Sequence, residues 1–149
     1  MILVTGEDKA ICRWVGDRMG GVDSYFGPCK TMGFVADGEL VCGVVFNNYQ
    51  PPNIEASIAT ATPRWCNRGV LSAIFHYPFV QAGCLRVTAK TKATNQPARA
   101  FLCRLGFQQE GVIRHAYPDG VDMVVYGLLR DECRWLRNPS GQAKSPAAR

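Results

Sequence analysis

The chain has 149 residues, enough for one domain with a real core and too few for two ordinary ones. Its 47% hydrophobic and 19% charged residues make a globular composition, and no apolar run approaches the ~18 residues of a membrane span. The net charge of +5 invites a nucleic-acid reading until it is located: residues 137 to 149 hold Arg137, Lys144 and Arg149 and no acid, leaving 14 basic against 12 acidic residues in the body.

The opening MILVTGEDKA has neither the basic end nor the long apolar stretch of a signal peptide, so a cytoplasmic setting without a membrane is expected. Ile2 to Val4 suits a short strand. From Asp8 to Met19, Ala10, Ile11, Trp14, Val15 and Met19 recur at helical spacing, and Gly20-Gly21 ends the helix. The segment VDSYFGPCKT mixes turn formers with Tyr25 and Phe26, aromatics that cap a core or line a cleft; it reads as irregular or briefly helical. Phe34 to Ala36 and Glu39 to Asn48 form a hairpin about Asp37-Gly38, and NNYQPPN breaks the second strand.

Ile54 to Ala61 resumes as a strand and leads into PRWCNRGVLSA. A helix follows, from about Gly69 to Ala82, with a kink expected at Pro78. Next come a strand at Leu85 to Lys90, a helix from Asn95 to Leu105 stopped by Gly106, and strands at Phe107 to Arg114 and Asp122 to Leu129 about the turn Pro118-Asp119-Gly120. Beyond Trp135 no core-forming residue remains, so residues 1–136 are expected to form one domain and 137–149 a disordered tail. Alternating elements in the middle and hairpins at both ends indicate α+β, a mixed sheet covered by helices.

Seven cysteines (Cys12, Cys29, Cys42, Cys66, Cys84, Cys103 and Cys133) show no C-x-x-C and no Cys/His zinc spacing, so no metal site is expected. Most sit in apolar runs as small hydrophobes, and Cys66 is the one placed for chemistry. It belongs to the strand, basic turn and helix of PRWCNRGVLSA. The first turn of a helix has four backbone N–H groups without intrahelical partners and carries partial positive charge. With Arg64 and Arg68 nearby, and Gly69 permitting close approach, that turn is a candidate anion seat; ordinary turn chemistry explains the same residues.

From Glu55 onward the order of features resembles the Gcn5-related N-acetyltransferase (GNAT) superfamily. It is most similar to the branch that modifies ribosomal-protein N-termini and its relatives, phage-encoded ones included. The resemblance rests on CNRGVL after a strand, LRVTAK before Asn95, the dipeptide Gly106-Phe107, and QEGVIRHAYPDGVDMVVYGLLRDECRW. It covers about residues 39 to 136. It implies a mostly antiparallel twisted sheet with a splayed parallel strand pair and helices on both faces. It also implies acetyl-CoA as co-substrate, no metal, and an amine acceptor: a protein N-terminus, a lysine, a small amine or a nucleobase. The cofactor arm would pair with Ile58, Ala59 and Thr60, and the pyrophosphate would sit on the N–H groups of Asn67, Arg68, Gly69, Val70 and Leu71. Asn95 matches a cofactor contact and fits a helix cap equally well. Glu55 occupies the place of a general base, and Tyr126, Tyr117 and His115 are candidates for acid–base work. Cys66 and bulky Leu71 depart from the family's loop, and Leu102 stands where many relatives carry a proton-donating tyrosine. A nucleic-acid-modifying enzyme, or a silent fold that binds a partner protein, therefore stay open, as does a homodimer.

Overall fold

A computed structural model describes residues 1–19 and 26–136; Tyr25 and the expected tail lie outside the described residues. Among the described residues seven strands and three α-helices follow one another as β1 (Ile2–Thr5), α1 (Asp8–Arg18), β2 (Cys29–Ala36), β3 (Glu39–Gln50), β4 (Asn53–Thr60), α2 (Arg68–His76), β5 (Arg86–Lys92), α3 (Gln96–Leu105), β6 (Gln108–Ile113) and β7 (Met123–Leu129). They form one sheet in the order β1-β2-β3-β4-β5-β7-β6, antiparallel throughout except for β4 and β5.

Strand alternation sorts the core onto two faces. On one face Val44, Phe46, Ile54, Ala56, Val87, Ala89, Tyr126 and Leu128 meet α2 through Leu71, Ile74 and Phe75, and α3 through Leu102 and Leu105. Each fully buried side chain of this size contributes roughly 1.5–3 kcal/mol, which makes this the dominant core. On the other face α1 presents Ile11 and Val15, one helical turn apart, to Val45 and Ala59. Two glycines paired across β2 and β3, Gly33 and Gly43, let α1 lie this close. A Cβ on Gly43 would stand 2.8 Å from Val15 Cγ2, and one on Gly33 3.1 Å from Ile11 Cδ1.

One sequence expectation is corrected here. β2 begins at Cys29, five residues before Phe34, because Cys29, Lys30 and Thr31 pair with Asn47, Phe46 and Val45 of β3; β1 joins on the other side from Met32. Pairing overrides a turn-like composition. His76 is exposed at the end of α2. The break at Pro78 is present: α2 stops at His76, and a wider turn follows in which the Ala82 N–H donates to the Tyr77 C=O at 2.8 Å. No helix among the described residues is long and apolar enough to cross a membrane.

Candidate active site

The parallel pair β4–β5 holds only at Asn53–Arg86, Ile54–Val87 and Glu55–Thr88. Past that point β4 follows β3 as far as Thr60–Cys42, while β5 follows β7 as far as Lys92–Met123. The sheet therefore opens between residues 56–60 and residues 89–92. Which backbone groups face the opening is set by the β3 ladder. The Ala61 N–H donates to the Val41 C=O at 2.9 Å, and antiparallel ladders alternate. With the registered pairs Gly43–Ala59 and Val45–Ser57, this turns Ala59 and Ser57 toward β3 and leaves Ala56, Ile58 and Thr60 facing the gap. The backbone groups of Ile58 and Thr60, two of the three residues expected along a cofactor arm, thus face the gap. Ala59 does not: its backbone points to β3, and its side chain is buried under α1. Ala56 takes its place, a residue that strand alternation alone, without the ladder's phase, could not select.

The mouth of this gap leads to the start of α2. Asn67 is its N-cap, and the cap uses up part of the predicted anion seat. Asn67 Oδ1 accepts the Val70 N–H at 3.0 Å, and the Asn67 C=O accepts the Leu71 N–H at 3.0 Å. Among the described residues the N–H groups of Asn67, Arg68 and Gly69 have no partner, so the seat narrows to these three. Leu71 does not crowd it, because its side chain is 3% exposed and lies in the main core. Gly69 has open space beyond Asn67 Oδ1, which a Cβ would meet at 3.3 Å. Arg68 turns away: its guanidinium donates to the Arg134 C=O at 3.0 Å and faces the Trp135 ring. The side chain of Arg64 lies outside the described atoms. Trp65, before the cap, is buried edge-on against Phe101 of α3. Cys66 is exposed beside the seat; burial of its sulfur raises its thiol pKa and the Arg104 guanidinium opposes the rise, so nothing activates it.

Asn95 caps α3, its Oδ1 accepting the Ala98 N–H at 3.2 Å, which leaves its amide nitrogen available to a ligand. Glu55 stands at the last paired register, where Lys90 Nζ donates to its Oε1 at 2.9 Å across the gap. Two more β5 cations on this face are likewise paired: Arg86 with Glu110 at 2.7 Å and Lys92 with Asp119 at 2.7 Å. The Arg86–Glu110 pair crosses β7 over Gly127, where a Cβ would collide with the Glu110 carboxylate. Tyr126 occupies the opposite face: it is 1% exposed, and its hydroxyl accepts from Arg99 Nε at 2.9 Å. The structure does not bring Glu55 and Tyr126 together. Leu102 is buried in the main core, and Phe26 packs beside α1. His115 sits exposed at a left-handed position (φ 53°), its N–H held by Asp122 Oδ1. Burial raises the Tyr117 hydroxyl pKa, and Lys92, over its ring, acts the other way.

No protein-family model matches the sequence, and no curated protein is significantly similar to it. Solved structures do match. A protein described as a probable acetyltransferase superposes at TM-score 0.60 with 24% identity over 68% of this chain, which spans 61% of that chain. A spermidine N-acetyltransferase from Vibrio cholerae superposes at TM-score 0.71 with 13% identity, covering 87% of this chain and 95% of the other. A GNAT-family acetyltransferase from Bacillus anthracis gives 0.61 and 18%, again over 87% and 95%. At these identities the likeness is one of architecture. The chain has the GNAT fold.

Proposed function

We propose that this chain is an N-acetyltransferase that moves the acetyl group of acetyl-CoA to a primary amine. The observation that carries the reading is the gap in the sheet. It offers unpaired backbone of Ala56, Ile58 and Thr60 along its wall and three unpaired N–H groups at its mouth. A pantetheine arm pairs with an extended strand, and a pyrophosphate sits on a helix N-terminus, so the two parts of the gap suit the two parts of one ligand. Bound there, the thioester supplies an acyl carbon that a neutral amine attacks; a C–N bond forms, the C–S bond breaks, and the departing thiolate takes a proton. Glu55 is the carboxylate on the acceptor side, accepting the amine's proton through a water. Lys90 Nζ holds this carboxylate at 2.9 Å from the β5 side of the gap.

The resemblance of QEGVIRHAYPDG to the ribosomal-protein branch makes a protein N-terminus the first acceptor to try, before lysine side chains, small amines and nucleobases. A phosphate-rich acceptor is less favoured, since Arg86, Lys90 and Lys92 are each neutralised by a carboxylate. The test is titration calorimetry with acetyl-CoA. Micromolar binding that is lost in Gly69→Phe supports the reading. No binding at millimolar ligand, with folding confirmed by circular dichroism, overturns it.

A further inference from the structure

Away from the gap, at the edge of the smaller core, two thiols meet. Cys12 on α1 and Cys29, the first residue of β2, place their sulfurs 3.0 Å apart although 17 residues separate them. We propose that Cys12 and Cys29 form a dithiol–disulfide couple, closed by a low-molecular-weight disulfide such as oxidised glutathione.

The pairing is held in register by a second bridge. Asp8 Oδ1 accepts both the Thr31 N–H at 3.0 Å and the Thr31 hydroxyl at 2.7 Å. Asp8 and Cys12 are four residues apart on a helix, about 6 Å along its axis; Thr31 and Cys29 are two apart on a strand, roughly 6.6 Å. The spacings match, so two ties join α1 to β2, and Asp8 keeps the sulfurs facing each other whether or not they are bonded. Asn47 Nδ2 donates to the Phe26 C=O at 2.9 Å and fixes the approach to Cys29. Both thiols are partly buried, and each packs against the core of Ile11, Val15, Val45 and Ala59.

The chemistry is thiol–disulfide exchange. The Cys29 sulfur attacks the oxidant, forming a mixed disulfide and releasing one glutathione, whose sulfur takes up the Cys29 proton. Cys12 then attacks the Cys29 sulfur; the protein S–S bond forms, the mixed bond breaks, and a second glutathione leaves with the Cys12 proton. Two thiols are oxidised and one disulfide is reduced. Burial and the Cys29 sulfur push the Cys12 thiol up to about 12, consistent with Cys12 holding its proton until this second step. The product would staple α1, the roof over Ala59, to the second strand of the sheet. It rests on no reading of the gap.

The full chain, incubated with oxidised glutathione until exposed Cys66 has fully reacted, is alkylated and digested with trypsin unreduced. The expected product is peptide 10–13 disulfide-linked to peptide 19–30, absent from Cys29→Ser. Closure of this loop raises the thermal midpoint by roughly 5–10 °C, reversibly with dithiothreitol and not in Cys12→Ser. Recovery of Cys12 and Cys29 as free thiols, or each with its own glutathione, overturns the proposal.

Discussion

Asn67 and Gly69 sit two residues apart and are read by different measurements. Asn67→Ala removes the α2 cap and costs about 1 kcal/mol, read as a lower denaturation midpoint. Gly69→Ala sets a Cβ 3.3 Å from Asn67 Oδ1, the capping oxygen, and weakens acetyl-CoA binding by blocking close approach. Unchanged binding in calorimetry would deny Gly69 that role. For Glu55, the expectation is that Glu55→Gln lowers kcat at least tenfold while the KM for acetyl-CoA stays constant. An equal loss in kcat after Lys90→Met alone would instead assign the effect to the ion pair. Residue types placed Asn67 and Gly69 at a turn opening a helix, and the structure has them at the start of α2. Which N–H groups remain unpaired was not legible, because a cap spends donors in three dimensions, and Arg68 looked free until Arg134, 66 residues later, proved to hold it.

At the level of elements, the close seat of α1 on β3 depends on a missing methyl. Gly43→Ala would drive a Cβ to 2.8 Å from Val15 and 3.1 Å from Trp14, costing about 1–3 kcal/mol; calorimetric unfolding checks it. The β6–β7 turn has a charge dependence of its own. The Lys92 hydrogen bond, then the Val121 N–H, hold the Asp119 carboxyl below its ordinary 3.8. A depressed carboxyl stabilises above the unfolded value and loses that contribution as pH falls through the folded one, so the turn loosens below about pH 4. Nuclear magnetic resonance shifts of residues 117–121 would follow Asp119, and Asp119→Asn should abolish the transition. Helix limits and most strands were readable from periodicity, caps and turn residues. The start of β2 was not: FGPCKT carries turn-forming residues, and Cys29, Lys30 and Thr31 become strand by pairing with Asn47, Phe46 and Val45 of β3. The meeting of Cys12 with Cys29 escaped for the same reason, since no spacing rule joins a helix turn to a strand start.

Across the whole molecule, two thiols tie stability to alkaline pH. Burial raises Cys42 from 9.0 to about 12, and burial with Cys29 does the same for Cys12. A raised folded value means the contribution is complete below the unfolded value and is lost as pH climbs toward the folded one. The urea midpoint is expected to stay level up to about pH 9 and to fall beyond it, less steeply in Cys42→Ala relative to its own neutral value.

The three-pair seam between β4 and β5 also bears on the order in which the protein assembles. On one side of it stand β1 to β4, each beside its neighbour in sequence; on the other stand β5, β7 and β6. Joining them closes a separation of 33 residues, from Asn53 to Arg86, for few hydrogen bonds. Local pairings form ahead of such distant ones. In pulsed hydrogen exchange during refolding, amides of β2 and β3 should gain protection first and Ile54 last. The gap that would receive a ligand is then also the last fold line to close.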